Sequence, residues 1–206
     1  MHINPGFQGK RREDPEKARR IPPGQHLTND FPVLSAGPTP KIRLTDWAFS
    51  IEGLVNSPQK WSWQEFQALP KRSYKVDIHC VTAWSKLDTL WRGISIEALL
   101  SLAQPMANAS HVIAECYGGY TTNLPIEDVL ADKAFVGLKY DNFPLTPEHG
   151  GPARLVVPHL YFWKSAKWIK GLRLVDQDEP GFWEEIGYHM YGDPWQEQRY
   201  GEDESE

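Results

Sequence analysis

Residues 73–93 read SYKVDIHCVTAWSKLDTLWRG. Tyr74, Val76, Ile78 and Cys80 alternate with Lys75, Asp77 and His79, the period-two pattern of a strand with one apolar face. Cys80 therefore closes a strand on its apolar side, where the chain reads as entering a loop over 82–93. A lone cysteine at a strand end is most simply a small buried hydrophobe. Two neighbours favour chemistry. Lys86 and Arg92 bring positive charge that would favour a thiolate, and Trp84 and Trp91 could wall a pocket. A Cys–His nucleophile is the other reading. Its base would have to be His111, His149 or His159, because His79 points to the opposite face.

Outward from this stretch, regular structure is expected to begin near Ile42. Trp47, Phe49 and Ile51 alternate as in a half-buried strand, and Ser62-x-x-Glu65 is a capping box opening a short helix that stops at Pro70. SIEALLSLAQ (95–104) reads as a second helix ended by Pro105. HVIAECY (111–117) reads as a strand before Gly118 and Gly119, IEDVLA (126–131) as a short helix, and KAFVGLKY (133–140) as a strand. A Gly-rich turn then leads into an apolar strand, HLYFWKSAKW (159–168) is a loop, and WIKGLRLVD (168–176) is a final strand. Strands with interspersed short helices and no βαβ alternation predict an α+β fold.

The chain has 206 residues, a length that suits a single domain. Residues 1–40, rich in Pro, Gly and charge, read as an extended surface arm, and 41–206 as the domain. A formal net charge of −5 argues against general nucleic-acid binding. Basic residues nevertheless cluster at Lys10, Arg11, Arg12, Lys17, Arg19 and Arg20, and acidic ones at Glu202, Asp203, Glu204 and Glu206, as solvated ends. No secretory signal or membrane span is apparent, so a cytoplasmic location is expected. There thiols stay reduced, and a Cys80–Cys116 disulfide would require an oxidising compartment. No CxxC opens a zinc site. The nine Trp are most simply core residues.

A second stretch carries charge among glycines and aromatics: residues 148–171, EHGGPARLVVPHLYFWKSAKWIKG. Arg154, Lys164, Lys167 and Lys170 read either as a solvated basic loop or as an anion clamp, since Arg offers a planar fork and Lys a mobile point charge. Gly150 and Gly151 would let backbone approach a ligand. No P-loop or GxGxxG is present.

Together, HCVTAWSKLDTLWRG and GGPARLVVPHLYFWKSAKWIKG resemble the oxidoreductase molybdopterin-binding family, the fold of sulfite oxidase. The resemblance runs from about Leu27 to the end and is nearest to the compact bacterial sulfite-oxidase-like oxidoreductases. The catalytic subunit of bacterial periplasmic methionine sulfoxide reductase is a more distant relative. The combination of Cys-x-x-x-Trp-Ser with Gly-x-Pro-x-Arg-Leu-Val-Val-Pro and Lys-Ser-x-Lys is far more specific than any one piece.

The resemblance implies a sulfite-oxidase-type fold of mixed β-sheets and short helices, and a molybdenum–molybdopterin cofactor. Cys80 falls at the cysteine that ligates molybdenum, a soft thiolate suited to a sulfur-rich centre. Arg154 falls at a cofactor-contacting arginine, and Ser165, Ala166 and Lys167 on the loop holding the pterin's phosphate. His149 precedes the glycines where the methionine sulfoxide reductase has a cofactor-touching asparagine. Asn29, Pro32 and Val33 fall near an N-terminal contact segment, and Cys116 replaces a threonine contact. His79, Trp84 and Lys86 flank the ligand as substrate-contact candidates.

The activity implied is oxygen-atom transfer on a small S-oxide, N-oxide or sulfite-like substrate. Without a cytochrome b5 domain or CxxCH in the sequence, electrons are expected to pass to or from an external partner. The rival expectation is a non-catalytic protein that stores or carries the cofactor.

Overall fold

The computed structural model describes residues 15–201, so the readings of Lys10, Arg11, Arg12, Glu202, Asp203, Glu204 and Glu206 lie outside the described residues. Two sheets organise the chain. The first contains β1 (His26–Leu27), β4 (Arg72–His79), β5 (Trp84–Ser95), β8 (Phe135–Tyr140), β9 (Phe143–Pro144) and β10 (Arg154–Val156), along the path β1-β5-β8-β10, with β4 on β5 and β9 on β8. The second has the order β3-β2-β11-β6-β7, from β2 (Ala48–Gly53), β3 (Gln59–Ser62), β6 (His111–Cys116), β7 (Thr121–Pro125) and β11 (Ile169–Val175). Only β1–β5 and β2–β11 pair in parallel. The helices are few and short: α1 (Pro15–Ala18), α2 (Trp63–Ala68) and α3 (Ile96–Ala103). The α+β expectation holds, and among the described residues no helix is long and apolar enough to cross a membrane.

Local chemistry explains the helices. Ser62 accepts from the Glu65 N–H at 3.4 Å while Glu65 accepts from the Ser62 N–H at 2.8 Å, the reciprocal cap the spacing predicted. In α3, Ile96, Leu99, Leu100 and Ala103 share one buried stripe, and the helix stops at Gln104 in the left-handed region, φ 55°. The larger core draws on both sheets and both of these helices, and the tryptophans before β4 fill it as core residues. Trp47 meets Phe66 at 5.1 Å between ring centroids, and Phe49 meets it at 5.0 Å.

Three readings are corrected. The stretch 82–93 is not a loop: after a tight turn through Ala83 (φ 70°), the chain forms the longest strand, β5. Its alternation is hidden by a register shift against β4 near Asp88, which has φ 58° and whose N–H donates to the Asp77 carboxylate at 2.9 Å. Regular structure also begins before Ile42. β1 continues the first sheet beside the start of β5, and Arg20 clamps Asp77 with two hydrogen bonds of 2.9 and 2.6 Å, so this part of the arm is docked. Finally, Lys164 is no part of a solvated or anion-binding loop. Its side chain is fully buried 2.6 Å from Glu184, and it donates to the Asn123 and Met190 carbonyls.

Glu184 also accepts from Thr122 and from the Trp163 indole. This buried polar network fastens the chain after β11 to β7. Removing one partner of a buried pair leaves an uncompensated charge, so Lys164→Ala is expected to lower unfolding stability by about 3–5 kcal/mol. Urea denaturation of the variant measures this, and a loss under about 1 kcal/mol would contradict a buried pair.

Candidate functional site

The turn that follows β4 fixes Cys80. Its N–H donates to the Trp84 carbonyl at 2.8 Å, its own carbonyl accepts from the Ala83 N–H at 3.0 Å, and the Gln25 amide donates to that same carbonyl at 3.0 Å. The thiol lies 3.1 Å from the Thr82 hydroxyl, in a small cluster with Ile78 and Trp84 against which Phe31 and Phe162 pack. Cys80 and Cys116 are both free, and they belong to different clusters.

Burial pushes the Cys80 thiol up from its ordinary range, while Thr82, Arg199 and Arg154 pull it down. These are not the cations the sequence suggested. Lys86 donates to the Asn29 carbonyl, and Arg92 faces Lys139 on the neighbouring strand. Arg199, which also donates to the Val81 carbonyl and lies over the Tyr161 ring at 5.1 Å, was missed. It sits in an irregular tail that offers no periodic signal.

Phe31 joins the two motifs. Its ring stacks on His149 with centroids 4.1 Å apart, meets Trp84 edge-on at 6.5 Å and Trp91 at 6.1 Å, and lies 5.9 Å from Phe162. The Phe162 ring in turn lies 4.2 Å from the Arg154 guanidinium. Phe31 was also missed, although a large aromatic in a Pro- and Gly-rich segment is a signal that the segment docks.

Arg154 is 1% exposed. It donates to the His149 carbonyl at 2.9 Å and the Ser165 carbonyl at 2.6 Å, and makes no ion pair among the described residues. Burial drives its pKa down to about 9, which still leaves it charged at neutral pH. Lys167 donates to the carbonyls of Leu34 and Glu148, each at 2.6 Å, and burial together with Arg154 lowers it to about 8. Gly150, at φ 99°, lets these two cations approach: a Cβ there would stand 3.0 Å from the Cβ atoms of both.

The remaining expected residues divide. His149 joins the cluster, and burial with the two nearby cations lowers its pKa. Ser165 is buried, its hydroxyl oxygen accepting from the Val157 N–H, and Ala166 accepts from the Leu155 N–H through its carbonyl. Pro32 is half-buried, whereas Asn29 and Val33 are exposed. Cys116 is 1% exposed in the larger core, where burial pushes its thiol far up. His79 is buried with its Nδ1 2.8 Å from the Ser85 hydroxyl, and burial lowers it to about 4. As for a Cys–His pair, His111 and His159 face Asp178 and Asp128, and His149 stacks on Phe31.

Three buried polar atoms in this neighbourhood make no hydrogen bond: Arg154 Nε, His149 Nδ1 and Trp84 Nε1. Unpaired buried donors and an unneutralised buried cation are costly, so the site is built for a polar, anionic partner. No group of three or more His, Cys, Asp or Glu side chains among the described residues could cage a bare metal. One thiolate beside an anion-seeking arginine instead suits a metal that arrives with ligands of its own. The donor set fits a metal–pterin group.

Comparison with known proteins agrees with this chemistry. Residues 36–183 match the oxidoreductase molybdopterin binding domain. The chain is 45% identical to the "Uncharacterized oxidoreductase YuiH" of Bacillus subtilis (strain 168), over 94% of this chain and 98% of that protein. It is 29% identical to the protein-methionine-sulfoxide reductase catalytic subunit MsrP of Gluconobacter oxydans (strain 621H), over 71% of this chain but only 52% of that longer protein. The sulfane dehydrogenase SoxCD from Paracoccus pantotrophus superimposes with a TM-score of 0.61 at 21% identity, covering 68% of this chain and 40% of that one, and shows the shared sulfite-oxidase-type fold. The chain thus belongs to the oxidoreductase molybdopterin binding domain family and is a molybdopterin-dependent oxidoreductase.

Proposed function

We propose that this protein transfers an oxygen atom to or from a small S-oxide, N-oxide or sulfite-like molecule, with Cys80 as the protein's ligand to molybdenum. The observation that carries the reading is Arg154: a buried guanidinium without a carboxylate, one aromatic ring away from a thiol held at a strand end. The methionine-sulfoxide chemistry named for the MsrP relative supports an S-oxide as the substrate class.

When bound, the molybdenum–pterin group supplies two-electron redox chemistry. The chain's residues do the rest. Cys80 offers one thiolate, and Arg199, Arg154 and the Thr82 hydroxyl favour its charged form against the cost of burial. Arg154 and Lys167 would hold the anionic part of the group, and Gly150 lets these two side chains come together. Phe31, Trp84 and Phe162 exclude water around the thiol. Reducing an S-oxide to a thioether consumes two electrons and two protons and releases water, so the enzyme needs an external electron donor; oxidation in the other direction needs an acceptor.

Cys80→Ser should abolish turnover and alter the molybdenum–sulfur shell seen by X-ray absorption, whereas Cys116→Ser should leave both nearly intact. Full activity with an unchanged shell in Cys80→Ser would refute the assignment. A dye-reduced holoprotein should be reoxidised by at least one S- or N-oxide, or the oxidised protein reduced by sulfite. A loaded protein inert in both directions that passes its pterin to an apo-enzyme would make it a carrier.

Charge-assisted contacts are worth roughly 1.5–3 kcal/mol each, so Arg154→Ala and Lys167→Ala should each cut cofactor affinity by about tenfold to a hundredfold. Molybdenum and pterin content after purification reads this directly, and normal content in the double variant would remove the anion clamp. The two variants differ with pH. Lys167 has its pKa lowered to about 8, so above that value binding an anion must first recharge the amine. Affinity should therefore fall by up to ~1 log unit per pH unit above pH 8. Lys167→Arg, which stays charged, should flatten this slope; a slope unchanged in Lys167→Arg would assign it to another group.

A further inference from the structure

Arg92 on β5 and Lys139 on β8 are direct partners across an antiparallel pair. Like charges placed opposite each other on one sheet face repel. Neither makes an ion pair or a side-chain hydrogen bond among the described residues. The cations on β4 are provided for: Arg72 pairs with Asp132 and Lys75 with Asp88. A third positive charge, Lys71, is held at the same rim because its amine caps the Gln67 and Leu69 carbonyls at the end of α2.

Beneath these three cations lies a cavity of about 330 Å³. That is the lower end of the size range for ligand pockets, ~300–1,000 Å³. Apart from the Gln67 side chain, its other walls are apolar, with Leu138 and Leu145 at 5% and 8% exposure, Leu44, Trp63, and Pro144 and Pro152. No carboxylate lines it. Pro152, on the segment that leads to Arg154, is one of its walls, while Arg154 and Cys80 do not line it.

We propose that this cavity binds a small organic acid, with its carboxylate between Arg92 and Lys139 and its apolar body against Trp63, Leu138 and Leu145. An anion there relieves the cross-strand repulsion, and an apolar body dries the floor, so each half of such a ligand answers one half of the cavity. An inorganic anion would leave the floor wet, and an uncharged aromatic would leave the two cations opposed. A protein's acidic surface would reach the rim but not the floor.

Isothermal titration of the holoprotein with naphthoate tests this, with naphthamide as the uncharged isostere, acetate as the carboxylate without a body, and polyglutamate as the acidic macromolecule. Naphthoate should bind saturably and one-to-one, with naphthamide and acetate each about tenfold weaker or more. Arg92→Gln combined with Lys139→Gln should weaken naphthoate by at least about tenfold while cofactor content stays unchanged, both positions being exposed and apart from the Cys80 cluster. Leu145→Asn should weaken naphthoate but not acetate. Equal binding of naphthoate and naphthamide, naphthoate binding unaffected by the double variant, or no naphthoate binding would each overturn the proposal. So would binding of polyglutamate alone that is lost in the double variant, which would make the rim a docking point for an acidic protein.

Discussion

Burying a guanidinium that finds no counter-charge among the described residues is the constraint around which this molecule is arranged. Arg154 can lie inside only because two backbone carbonyls, His149 and Ser165, turn towards it and an aromatic ring, Phe162, covers it. Those carbonyls belong to the segments before and after β10, so solvating the arginine also fixes both loops. Two acceptors do not neutralise the charge; they lower the cost of holding it ready. Holding a cation in this way costs folding stability.

The Cys80 turn and the loops around Arg154 are some seventy residues apart in sequence, and the arm joins them. Phe31 touches both the Cys80 cluster and His149, while the Leu34 carbonyl accepts from Lys167. The arm's interactions are local in space and remote in sequence. Its composition, rich in Pro and Gly, hides this because docking here uses two strand residues, one ring, single carbonyls and the Arg20 and Gln25 side chains rather than a periodic face.

What the sequence made legible follows the same physics. The alternation at 74–80 placed Cys80 correctly at a strand end because a half-buried strand must alternate. The capping box at Ser62 and the apolar stripe of α3 were equally readable. β5 was not, because the bulge near Asp88 breaks its period and Ser85 and Thr89 are buried polar residues that read as loop. Lys164 was misassigned because a charged residue among aromatics looks exposed until its partner, Glu184, twenty residues on, is brought beside it by the fold. Arg199 gave no signal, since its role depends only on where an irregular tail returns.

That return has a consequence for biogenesis. Arg199 reaches the Val81 carbonyl across 118 positions of sequence, and Lys167 reaches Leu34 across 133. Every residue as far as Arg199 must have left the ribosome before the wall around Cys80 is complete, and contacts of such long range close late. A nascent chain can form the Cys80 hairpin early but cannot yet enclose anything beside it. Any group enclosed beside Cys80 would therefore be received only after the stretch bearing Arg199 has emerged, and the docked arm and the returning stretch are the two pieces whose contacts complete the enclosure.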